Sequence, residues 1–66
     1  MKISFQGQTA ETDAATVAGF LLARGVDASK AIVEHDGEVY APGADLSKAV
    51  LRPDSTLDVF TLTAGG

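Results

Sequence analysis

Asp36-Gly37 separates two β-rich runs, Ala31 to His35 and Glu38 to Ala41. A two-residue loop of this composition favours a tight hairpin, because both of its positions must accept positive φ. An antiparallel hairpin is therefore expected in the middle of the chain. A second hairpin is expected at the N-terminus. Met1, Ile3 and Phe5 alternate with Lys2, Ser4 and Gln6 in the period-two pattern of a half-buried strand. Gly7-Gln8 supplies the turn signal, and Thr9 to Thr12 reads as the returning strand.

Between the hairpins, Thr16 is placed to cap a helix through its hydroxyl oxygen. Val17, Phe20 and Leu21 then form one apolar stripe at helical spacing. Gly25 ends that helix, since it accepts the left-handed conformation after the last turn. After the second hairpin, Pro42-Gly43 breaks the strand and Ala44 to Ala49 reads as a short helical turn. Val50-Leu51 is an apolar anchor before the turn Arg52-Pro53-Asp54-Ser55, and Leu57 to Thr63 is the final strand. This order predicts an α+β fold of the β-grasp type: a mixed sheet of about four to five strands, one main helix across one face and a short second helix. The last strand is expected beside the first, in parallel. The inward residues are expected to be Ile3, Phe5, Val17, Phe20, Leu21, Val33, Val39, Val50, Leu57 and Val59. Residues 1–63 read as one domain without repeat, linker or low-complexity segment, and 64–66 as a flexible tail.

A chain of 66 residues hides only about 60% of the surface it exposes when unfolded, enough for one thin core and no deep cleft. A self-sufficient enzyme is not expected. Hydrophobic residues at 45% and charged residues at 21% are ordinary globular usage, so the chain should fold without a partner. It has no cysteine, which excludes disulfides, thiolate metal sites and a cysteine nucleophile. Apolar runs are short and no basic start precedes a hydrophobic stretch, so no membrane span or signal peptide is expected, and the expected location is the cytoplasm. A net charge of −4 repels nucleic acid and anionic lipid and favours protein partners with a basic surface.

The remaining chemistry-bearing residues point to no site. His35 stands among Glu34, Asp36 and Glu38, but neighbours in a strand face opposite ways, so a solvated hairpin is favoured over a metal site. Glu11 and Asp13 read as solvated charges. No histidine lies near Thr16 to make it a nucleophile. Gly7, Gly25, Gly37 and Gly43 are too scattered for a phosphate-binding loop, and the basic residues are too scattered for nucleic acid.

The informative feature is the closing Ala64-Gly65-Gly66, directly after a strand. Two glycines can enter a slot too narrow for any side chain, and an extended three-residue arm reaches roughly 10 Å. On the last strand Leu57, Val59 and Thr61 share one face and Asp58, Phe60 and Leu62 the other. With Leu57 and Val59 inward, Phe60 and Leu62 lie exposed just before the tail, with Ile32 as a neighbour across the sheet. That makes a candidate docking patch.

Taken end to end, the chain resembles the ThiS family of sulfur-carrier proteins, the small ubiquitin-like proteins of thiamine biosynthesis. The resemblance rests on Met1-Lys2-Ile3-Ser4-Phe5, Thr16-Val17 with Phe20-Leu21, Asp36-Gly37-Glu38-Val39, Val50-Leu51, and Leu57 through Ala64-Gly65-Gly66. It implies that the Gly66 carboxylate is adenylylated by a ThiF-like adenylyltransferase using ATP and magnesium. A sulfur donor, a cysteine desulfurase or similar, would then convert it to a thiocarboxylate for a thiazole synthase. All catalytic side chains and the metal would belong to those partners, with no cofactor stably bound here. Related readings are a carrier for molybdopterin or another metabolite, and a ubiquitin-like protein modifier or interaction module.

Overall fold

The computed structural model describes residues 1–61. The expectations for Leu62, for the end of the final strand at Thr63, and for Ala64, Gly65 and Gly66 lie outside the described residues.

Five strands form one mixed sheet: β1 (Lys2–Phe5), β2 (Gln8–Glu11), β3 (Ala31–His35), β4 (Glu38–Tyr40) and β5 (Thr56–Thr61), in the order β2-β1-β5-β3-β4. β5 is central, parallel to β1 and antiparallel to β3. One helix, α1 (Val17–Ala23), packs on one face through Val17, Phe20 and Leu21. Two 3₁₀ turns, Ala28–Lys30 and Leu46–Lys48, complete the elements. The second is the short helix expected after Pro42; the first has no counterpart in the sequence reading.

Local chemistry sets the boundaries of α1. Thr16 Oγ1 accepts the Gly19 N–H at 3.1 Å, satisfying one of the donors left open at a helix start. At the other end Gly25 has φ 73, the Val26 N–H donates to Leu21 O and the Gly25 N–H to Leu22 O. This is a Schellman closure, and Val26 packs against the core beside it.

Both hairpins close on two residues with positive φ, Gln6-Gly7 and Asp36-Gly37. The first turn lies one residue earlier than the expected Gly7-Gln8, because Phe5 pairs with Gln8.

The core comprises Ile3, Val17, Phe20, Leu21, Val33, Leu57 and Val59, as expected, together with Ala10, Ala31, Leu46, Ala49 and Leu51. Phe5 is half-buried, its ring edge-on to Phe20 at 5.0 Å, with the Arg24 guanidinium 5.4 Å from its centroid. Two expected core residues are not in it. Val39 is 64% exposed because the hairpin register sets it opposite Glu34 on the open face of the sheet. Val50 is 53% exposed, bridging Thr16 through its backbone while its neighbours Ala49 and Leu51 turn inward.

Candidate functional site

β5 leads toward the sequence Ala64-Gly65-Gly66, so the residues that hold β5 position whatever follows it. β1 pairs with β5 only at Ser4–Thr56 and Phe5–Leu57. Beyond that point the side chain of Gln6 takes over. Its Nε2 donates to Val59 O and its Oε1 accepts the Val59 N–H, both at 2.9 Å. The amide thus imitates one more residue of a strand. The same two bonds explain why a glutamine occupies φ 53, a conformation that disfavours residues with a Cβ.

Asp36 fixes the start of β5. Its Oδ1 accepts the Thr56 N–H at 2.7 Å, its Oδ2 accepts the Ser55 hydroxyl at 3.2 Å, and its own N–H donates to Thr56 O. The bond from the Thr56 N–H, more than any other influence, holds the Asp36 carboxyl below its ordinary pKa. His35 is buried alongside, with Nε2 3.2 Å from Asp36 Oδ2 but off line for a hydrogen bond. Of the hairpin carboxylates, Asp36 stands against it and Glu38 pairs with it across the strands, whereas Glu34 lies on the other face of β3. No cluster of three or more potential ligands among the described residues could hold a metal ion.

Of the residues expected to form a docking patch, Phe60 and Ile32 are described, and both lie on the open face of the sheet. Phe60 is 56% exposed, and its cross-strand partner is Ile32, which is half-buried. The next pair along the same strands is Asp58 opposite Glu34, and Val39 continues the row on β4. The described part of this face is an exposed aromatic with two carboxylates further along the same strands. Leu62, the other expected member, lies outside the described residues. Gln6 and the Asp36 clamp were not singled out from the sequence. Gln6 carries no signal there, whereas Asp36 was legible only as a turn residue.

No protein-family model matches this chain, and no curated protein matches it. Among solved structures, the crystal structure of the thiamine biosynthesis protein (ThiS) from Geobacter metallireducens aligns with it over 100% of both chains, at a TM-score of 0.78 and 24% identity. This is the β-grasp fold. In β-grasp terms, α1 covers one face of the sheet, the Phe60 and Ile32 face is open, and the central strand is the last one. No described helix is long and apolar enough to cross a membrane.

Proposed function

We propose that the protein is a sulfur carrier whose Gly66 carboxylate is activated and converted to a thiocarboxylate, with the thiazole of thiamine as the destination of the sulfur. A carboxylate is a poor electrophile, because its carbon shares the negative charge of both oxygens. Transfer of AMP from ATP, with release of pyrophosphate, gives a mixed anhydride with a good leaving group. The outer sulfur of a donor persulfide then displaces AMP to give an acyl disulfide. A thiol of the partner proteins cleaves its S–S bond, taking the donor sulfur into a new disulfide and leaving a thiocarboxylate that is more nucleophilic than the original acid. The ATP, the magnesium and the catalytic side chains are those of a ThiF-like adenylyltransferase, a cysteine desulfurase or similar donor, and a thiazole synthase. This chain is their substrate in the cytoplasm and catalyses nothing itself.

The reading is carried by one observation: the fold match to ThiS runs the full length of both chains, with the central strand leading in sequence to Ala64-Gly65-Gly66. Phe60, Ile32 and Leu62 are assigned to docking on the adenylyltransferase. ATP–pyrophosphate exchange with a ThiF-like adenylyltransferase tests the reading. Exchange should depend on the added carrier and disappear when Gly66 is deleted. Exchange indifferent to Gly66 would refute the assignment of the activated carbon.

A further inference from the structure

A groove of about 680 Å³ opens on the helix side of the sheet, opposite the Phe60 face, between the end of α1 and the two 3₁₀ turns. Its floor and walls are apolar, built from Leu21, Leu22, Val26, Ala28 and Leu46. Leu22 stands 80% exposed at its edge, a large apolar side chain that nothing among the described residues covers. Asp27 and Asp45 sit at the rim. Each caps its own 3₁₀ turn, and the two tetrapeptides, Asp27-Ala28-Ser29-Lys30 and Asp45-Leu46-Ser47-Lys48, share one pattern.

In both, a single carboxylate oxygen does the capping. Asp27 Oδ1 accepts the Ser29 N–H at 3.0 Å and the Ser29 hydroxyl at 2.6 Å, and Asp45 Oδ1 accepts the same pair from Ser47. These bonds hold both carboxyls below their ordinary pKa, led in each case by the serine hydroxyl; Lys30 adds a smaller effect at Asp27. Oδ2 of each accepts no hydrogen bond among the described residues and is left for a partner. The charged side chains that line the groove are thus the two carboxylates beside an apolar interior, with Lys30 and Lys48 closing the same two tetrapeptides outside the lining.

We propose that this groove docks a segment of a partner protein in which a large apolar side chain is flanked by Lys or Arg, the apolar group entering beside Leu22 and the cations meeting Asp27 and Asp45. Charge complementarity selects that occupant, and the net charge of −4 favours its approach. The chain's own acidic residues are poor alternatives for the same reason. The position of the groove gives it a use. Ala31, which follows the first 3₁₀ turn, pairs with Thr61, so the groove lies at the end of the sheet where β5 finishes. A protein seated there leaves the Phe60 face free, and two partners can be held at once. None of this depends on what Gly66 carries.

The test is titration of the ¹⁵N-labelled full chain with three amidated hexapeptides: Lys-Lys-Leu-Leu-Lys-Lys, its Glu-flanked analogue and an all-Lys analogue. The Lys-Leu peptide alone should shift the amides of Ala18, Leu22, Val26, Ala28 and Leu46. Asn caps a helical turn as well as Asp, so Asp27→Asn with Asp45→Asn keeps the fold and should weaken binding roughly five- to tenfold, the scale of two exposed ion pairs. Leu22→Ser should weaken it independently. Equal shifts from the Glu-flanked or all-Lys peptide, shifts confined to the Phe60 face, or no shift at millimolar peptide would each overturn the proposal. So would groove amides that move when residues 62–66 are removed without any peptide, since the chain would then fill its own groove.

Discussion

At the scale of single residues, Asp36 holds the start of the central strand and Gln6 its middle, at Val59. Gln6→Ala removes both bonds to Val59 and leaves that N–H and carbonyl without a protein partner on that side. It should cost about 1–2 kcal/mol in urea unfolding and speed amide exchange at Val59. Unchanged protection at Val59 would show that the bonds do not matter. Asp36 contributes through pH. Its folded pKa lies below the unfolded value, so its stabilisation is complete above the unfolded pKa and is lost as pH falls through the folded one. The window therefore lies below about pH 4. Asp36→Asn should make the acid limb of a stability–pH curve shallower and leave the neutral region sloped as before; an identical acid limb would contradict the clamp.

Among the elements, α1 depends most on its ends, because seven residues are too few to be helical on propensity alone. Thr16→Ala should cost about 1 kcal/mol in thermal or urea unfolding, and Thr16→Ser should restore most of it by returning the hydroxyl. The elements also separate what the sequence disclosed from what it concealed. Thr16 and Gly25 announced both ends of α1, and Asp36-Gly37 announced the second hairpin, because each answers a local demand of the backbone. Val39 was misplaced although the information was present. A two-residue loop pairs His35 with Glu38, hence Val33 with Tyr40, and so puts Val39 with Glu34. Val50 is a different case. It lies outside regular structure, where no period fixes which neighbour turns inward, and only the bridge to Thr16 decides between Val50 and Leu51. Asp45 joins Leu22 and Asp27 only through tertiary packing; the trace of the two aspartates in the sequence is the shared Asp-x-Ser-Lys pattern.

For the whole molecule, the sheet has two faces: an open face with Phe60 and Ile32, and a helix face with the groove between α1 and the 3₁₀ turns. Phe60→Asp places a charge where the side chain is already more than half exposed, so unfolding should change little while adenylation by the partner slows. A wild-type adenylation rate would remove the open face from the docking account. The central claim concerns the last carbon of the chain, and the mass of the intact protein from sulfur-replete cells tests it most directly. The account predicts a species ending at Gly66 and heavier than the acid by about 16 Da, the exchange of one oxygen for sulfur. Finding only the unmodified acid, or only a conjugate heavier by the mass of a target protein, would contradict it.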